Sequence, residues 1–253
     1  LTNFEVVLIE MKKQSRHWTA DLGNTRIKCG VFADGKLLET KTFADLASFQ
    51  AYFRPQKADR VIMVSVRWNE EELKDIFGFP FLFFDRKTPL PILNNYSSPE
   101  TLGLDRLAAV IGGRAFKSAG SLLCIDAGTC ITYDFLDKSD KYQGGAISPG
   151  LRLRGRSMHE FTARLPLVTL TRKDIPVLGK DTVSCLESGI LHGAAGEING
   201  FINYYRQAFG QVHVFICGGD AEIFESLIKD HIFVIPNLVL YGLDRILLYN
   251  VEK

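Results

Sequence analysis

The sequence contains little that would tie it to a special environment. Of its 253 residues only five are cysteine, an odd number with no C-x-x-C pair among Cys29, Cys124, Cys130, Cys185 and Cys217. A disulfide framework and a zinc ribbon are therefore not indicated. The histidines at 17, 159, 192, 213 and 231 are scattered and form no zinc pattern. No apolar run approaches the ~18 residues of a membrane span, so no membrane partner is expected. Charge of one sign is also missing: 30 Lys and Arg stand against 29 Asp and Glu, a net charge of +1. Such a balance argues against nonspecific nucleic-acid binding. Cys124 and Cys217 sit in apolar runs as small core hydrophobes do, which indicates reduced thiols and a cytoplasmic setting.

What remains is the composition of an ordinary globular protein, 46% hydrophobic and 23% charged. The length allows one or two domains and a core that needs no staple. Residues 1–16 stand outside the pattern that follows. Leu1–Glu10 reads LTNFEVVLIE, and its apolar stretch Val6–Ile9 is too short for a signal-peptide core and has no basic residue before it. Residues 1–16 are read as an N-terminal extension or a cloning remnant, with Met11 as an alternative start.

Two units repeat a strand, an Asp-x-Gly turn and a strand. The first runs His17–Ala20, Asp21-Leu22-Gly23-Asn24-Thr25, Arg26–Phe32; the second runs Ser121–Ile125, Asp126-Ala127-Gly128-Thr129, Cys130–Phe135. Their separation is about one compact domain, which indicates a duplicated domain pair. The first unit continues with an Asp34-Gly35 hairpin, a helix from Leu46 to Phe53, a strand from Arg60 to Val66, a helix from Glu70 to Phe77 and a strand from Phe79 to Phe84. A Pro-broken loop carries Asn94-Asn95-Tyr96, and a helix follows from Leu104 to Phe116. The second unit adds strands over about 142–148 and Val212–Cys217, a long helix from Asp181-Thr182 to Phe209, a helix over 221–231, a short strand over 232–235 and a last helix around Gly242–Tyr249. The boundary between halves is read near Ser118–Gly120, giving domains 17–118 and 119–253.

Gly30–Lys36 matches the G-x-x-x-x-G-K spacing of a phosphate loop, but Leu37 stands where Ser or Thr must bind the metal, and the stretch sits in a hairpin. The Asp turns are better candidates. Each aspartate ends an apolar strand, and backbone N–H groups in a Gly turn can cradle phosphate oxygens. A strand-end carboxylate can hold a cation that neutralises them. Thr25 and Thr129 add hydroxyls, and Gly218-Gly219 forms a third Gly turn after a strand. Asp105 opens a helix, where the dipole favours the ionised carboxylate that a general base requires. Arg106 beside it has a fork that matches a substrate carboxylate. Thr182 sits with Asp181 at a helix start, a capping position. Arg152, Arg154 and Arg156 read either as an anion site or as a solvated loop.

Taken together, these motifs resemble the type III pantothenate kinase family. The resemblance rests on Asp21–Thr25 with Lys28, Gly103-Leu104-Asp105-Arg106, Asp126-Ala127-Gly128-Thr129 with Thr132 and Asp134, Gly144–Gly150, Asp181-Thr182 with Ser188–Ile190, and Gly218–Ala221. It covers about residues 17–245. It implies two ribonuclease-H-like domains of the acetate/sugar kinase–Hsp70–actin superfamily, an α/β fold with a nucleotide cleft between them. It implies phosphorylation of pantothenate by ATP, with Asp105 as general base. ATP contacts would fall on Asp21, Leu22, Gly23, Asn24, Thr25, Arg26, Ile27, Lys28, Thr129, Gly218 and Gly219. Pantothenate contacts would fall on Tyr96, Gly103, Leu104, Asp105, Arg106 and Thr182. Asp126 would bind a monovalent cation, K+ or NH4+, and Mg2+ would accompany ATP. A homodimer is implied. Departures are residues 1–16 and Cys130 beside Thr129. The competing expectations are a kinase for another small hydroxylated substrate, and a non-catalytic transcription accessory relative.

Overall fold

The structure, a computed structural model, describes residues 16–170 and 174–251. Apart from Arg16, the reading of residues 1–16 lies outside the described residues. The chain divides into two compact units, one up to Phe83 and one from Phe84.

The first unit is a five-stranded sheet in the order β3-β2-β1-β4-β5. Its strands are β1 (His17–Leu22), β2 (Ile27–Ala33), β3 (Lys36–Phe43), β4 (Arg60–Ser65) and β5 (Leu82–Phe83), with helices α1 (Leu46–Tyr52) and α2 (Glu70–Phe77). β1 to β3 pair antiparallel, and β4 joins β1 in parallel. Asp34 and Gly35 both have positive φ, as the expected tight hairpin requires, so the G-x-x-x-x-G-K stretch is strand and turn. Asn69 caps α2 in a capping box with Glu72. One face of the sheet packs an aromatic core of Trp18, Phe49 and Phe53. Asp59 is buried beneath it. It accepts hydrogen bonds from the Trp18 indole and the Arg16 guanidinium, both at 3.0 Å, and from the Gln56 backbone at 2.8 Å.

The second unit repeats the arrangement. Its sheet runs β11-β10-β7-β8-β9-β6, from β6 (Leu93–Asn94), β7 (Ser121–Ala127), β8 (Cys130–Leu136), β9 (Lys141–Pro149), β10 (Val212–Cys217) and β11 (Ile232–Val234). β7, β8 and β9 form an antiparallel meander, and β10 returns in parallel beside β7. The meander and parallel return match those of the first unit strand for strand, so the expected duplication is present. α3 (Leu104–Phe116) and α7 (Leu238–Val251) contact each other, and α3 also contacts β7 and β8; α5 (Thr182–Phe209) contacts β7 and β10. A short α4 (Leu151–Glu160) and α6 (Ala221–Phe224) complete the unit.

The boundary expected near Ser118–Gly120 is not where the compact units divide. α3 belongs with the second unit because its backbone meets that of α7. A Cβ on Gly112 would lie 2.1 Å from the Leu238 carbonyl oxygen, and one on Gly242 would lie 1.8 Å from that of Ala108. Only glycine permits this approach, and Ala108 adds a third small residue to the contact.

Burial works to raise the Asp59 carboxyl, but the hydrogen bonds from Gln56, Trp18 and Arg16 outweigh it and hold the group below its ordinary value. A depressed carboxylate stabilises the fold above its unfolded pKa and loses that contribution as pH falls through the folded value. Asp59→Asn is expected to cost about 1–3 kcal/mol at pH 7. The deficit against wild type should shrink as pH falls below about 4, read by urea melts across pH.

Candidate active site

In the first unit, Asp21 is the penultimate residue of β1, paired across the ladder with Lys28 of β2. Gly23 to Arg26 form the connecting loop, with Asn24, Thr25 and Arg26 exposed, Ile27 buried in β2 and Leu22 buried in β1. The expected phosphate turn is thus a hairpin loop with a strand-end carboxylate at its base.

In the second unit the period-2 alternation of the strands sorts the candidates by face. Ile125, Ala127, Ile131, Tyr133 and Phe135 join the core cluster that includes the α5 residues Leu186, Ile190 and Ile198. The other face carries Cys124, whose thiol meets the Ala109 carbonyl of α3 at 3.6 Å. Asp126, Thr132 and Asp134 share that face, and Asp126 and Thr132 are direct cross-strand partners. The same sheet face therefore presents the strand-end aspartate and the residues that meet α3.

Arg106 and Asp134 form a buried ion pair, with Arg106 Nε donating to Asp134 Oδ1 at 2.7 Å. Asp134 is 0% exposed. The Tyr142 hydroxyl donates to the same oxygen at 2.8 Å, and the Thr132 hydroxyl donates to Oδ2 at 2.8 Å. Burial pushes the Asp134 carboxyl up to about 6, with Arg106, Tyr142 and Thr132 pulling against it. Burial also works against the Arg106 charge, but Asp134 outweighs it and keeps the guanidinium above its ordinary value. The Tyr96 ring lies 5.8 Å from the Arg106 guanidinium carbon, within cation–π range. Tyr96 reaches this place because β6 adds to the sheet beside β9, a pairing the Pro-broken loop did not announce. Arg106 is therefore not the free fork the sequence suggested: Nε is taken, and Nη2 is buried without a hydrogen-bond partner.

Asp105 is exposed in the first turn of α3, its Oδ1 accepting from the Arg106 backbone N–H at 2.9 Å. Gly103 caps the helix, and Leu104 is half-buried. Thr182 is the exposed first residue of α5. Its N-cap is Asp181, paired in a capping box with Ser184.

Asp126 sits under the Gly218-Gly219-Asp220 turn. Gly218 has φ +93, and a Cβ there would lie 2.4 Å from Asp126 Oδ1 and 2.3 Å from the Ala127 carbonyl oxygen. The Asp220 backbone N–H closes the turn on that same Ala127 carbonyl at 2.9 Å. Thr129 is held from the other side, its carbonyl accepting from Gly150 N–H at 3.1 Å.

Arg152, Arg154 and Arg156 lie on a helix, α4, rather than in a loop. Arg154 pairs with Glu197 at 2.5 Å and Arg156 with Glu160 at 2.8 Å, so neither is a free anion site. Glu197 was not anticipated. It gathers Arg154, the Ser148 hydroxyl and, at 2.7 Å, the Tyr133 hydroxyl. Nothing in its local sequence marks it, because its partners come from β8, β9 and α4.

The family model described as type III pantothenate kinase matches residues 19–204. A type III pantothenate kinase of Cytophaga hutchinsonii is 39% identical over 232 residues, spanning 91% of this chain and 98% of its own length. A solved structure described as a Baf family transcriptional activator from Campylobacter jejuni has a TM-score of 0.64 at 21% identity, covering 93% of this chain and 100% of that one. An inorganic polyphosphate/ATP-glucomannokinase from Arthrobacter has a TM-score of 0.51 at 12% identity, covering 95% and 100%. At these identities the structural likeness shows the fold alone, that of actin, Hsp70 and the sugar kinases.

Two neighbouring glycines test the seat of Asp126. Gly218→Ala is expected to cost about 1–3 kcal/mol, since it strains the backbone and drives a methyl into the Asp126 carboxylate. Gly219→Ala meets open space and should change stability by less than ~0.5 kcal/mol in the same denaturant titration.

Proposed function

The chain belongs to the type III pantothenate kinase family, and from that premise we propose which residues carry the transfer of the ATP γ-phosphoryl group to pantothenate, the first step toward coenzyme A. The observation that carries the reading is the grouping of Tyr96, Arg106, Thr132 and Asp134 around the first turn of α3, from which Asp105 projects.

Asp105 is the general base. Its carboxylate takes the proton of the pantothenate terminal hydroxyl. The hydroxyl oxygen then bonds to the γ-phosphorus as the bond to the bridging oxygen breaks, and the electron pair leaves with ADP. Phosphoryl transfer of this kind asks the protein for positioning and charge neutralisation rather than covalent help. Arg106 takes the pantothenate carboxylate, Tyr96 flanks it, and Gly103, Leu104 and Thr182 complete the substrate contacts.

ATP phosphates are held by the turn Asp21, Leu22, Gly23, Asn24, Thr25, Arg26, Ile27 and Lys28 and by Thr129, with Gly218 and Gly219 as a backbone ledge for the nucleoside. The family uses ATP with a divalent metal. Among the described residues no group of three or more His, Cys, Asp or Glu could hold a metal ion. Mg2+ is proposed to arrive on the ATP phosphates. One carboxylate beside a turn also fits a weakly held monovalent cation, and Asp126 is proposed to hold K+ or NH4+, which supplies charge neutralisation when bound.

A homodimer is part of the reading. Gly189, Gly193, Gly196 and Gly200 line an exposed face of α5, and a Cβ on any of them would meet open space. A cytoplasmic site fits the five free cysteines. Among the described residues no helix is long and apolar enough to cross a membrane. No specific observation favours the regulatory reading or another hydroxylated substrate.

ADP release coupled to pantothenate, measured with and without K+, tests the whole reading; absence of pantothenate-dependent release under any cation overturns it. Asp105→Asn should lower kcat by about 10²–10⁴ while ATP still binds, and near-normal turnover removes Asp105 as the base. Asp126→Ala should abolish the K+ response, and an unchanged response refutes the cation role.

A further inference from the structure

An arginine that recognises an anion must hold its guanidinium still. Its long side chain carries rotamer entropy that is lost on binding unless the free protein has already fixed the side chain. Arg106 is fixed on two sides: Asp134 takes Nε, and the Tyr96 ring lies beside the guanidinium. Asp134 is in turn immobilised, because Tyr142 and Thr132 each donate to it and it has no exposed surface. The buried Nη2 of Arg106 is left with no partner. A buried donor without a partner costs free energy that an acceptor arriving with a ligand returns.

We propose that Asp134 is a positioning residue for substrate recognition: by holding Nε of Arg106 it aims Nη2 at the carboxylate of pantothenate. Asp134 acts through Arg106 and does not touch the substrate. Tyr142 and Thr132 serve the same end one step further out, by holding the carboxylate that holds the guanidinium. The proposal rests on the reading of Arg106 as the carboxylate contact. A guanidinium has five N–H donors, enough to meet one carboxylate at Nε and another at Nη2.

The test is a double-variant cycle on the full chain, reading KM for pantothenate and for ATP by coupled ADP release. Asp134→Asn should raise the pantothenate KM about 10–100-fold, the range seen when a residue that orients a ligand-binding group is lost. The ATP KM should stay within about twofold, since uniform loss of structure would move both. Arg106→Ala should raise the pantothenate KM as well. The double variant should be no worse than Arg106→Ala alone, because a residue that acts only through Arg106 has nothing left to do without it. An unchanged pantothenate KM in Asp134→Asn while Arg106→Ala raises it overturns the positioning role alone. Full additivity in the double variant does the same. An unchanged KM in Arg106→Ala overturns the reading of Arg106 and the proposal with it. Should Asp134→Asn fail to fold, Tyr142→Phe carries the test: it keeps the charge, and a several-fold rise in pantothenate KM with unchanged ATP KM is expected. An unchanged pantothenate KM in that variant overturns the proposal.

Discussion

The pairing of Arg106 with Asp134 inside the second unit governs the placement of everything around it. Two opposite charges removed from water are costly unless every remaining lone pair is met, and here Tyr142 and Thr132 meet those of Asp134. The bond joins α3 to β8, so the first turn of α3 has one register against the sheet. Asp105 is adjacent in sequence and hydrogen-bonded to the Arg106 backbone. Its direction is therefore inherited from a pair it does not belong to.

The turns around Asp126 are built differently. The turn after β7 is shaped largely by backbone: Gly218 permits close passage over Asp126, Asp220 N–H closes on Ala127, and Gly150 N–H closes on Thr129. Glu197 stabilises the neighbourhood from the far face, reaching Ser148 and Arg154 on either side of Pro149-Gly150. Main-chain groups hold the turn, and side chains hold the main chain.

Much of the fold was legible because its signals are local. Apolar periodicity marked α2 and α3 to the residue, and Asp34-Gly35 marked its hairpin. The paired Asp-x-Gly turns announced the duplication before any strand order was known. What escaped depends on contacts distant in sequence. α4 looked like a Gly- and Arg-rich loop because it has little apolar face of its own, and only Leu151 and Gly155 are buried. The helix expected over 221–231 stops at Phe224, and the strand expected from Phe79 shrinks to Leu82–Phe83. The compact units divide at Phe83/Phe84 rather than near the linker-like Ser118–Gly120, because α3 packs on α7 through glycines far along the chain. In the site, Asp105 and Arg106 were legible as residues, but the burial of Arg106 and its unpaired Nη2 were not. Those depend on Asp134 and Tyr142 arriving from other strands.

The contact between α3 and α7 bears on the order in which the protein can mature during translation. α3 leaves the ribosome long before α7 is synthesised, and until then Ala108 and Gly112 face solvent with no backbone to receive them. The sheet strand β10 and the long α5 are also made before that partner exists. One face of the helix that bears Asp105 is thus covered last, by α7. A nascent or truncated chain without residues 238–251 would hold both Asp-x-Gly turns and the sheet side of α3, and still lack the backbone that covers Ala108 and Gly112.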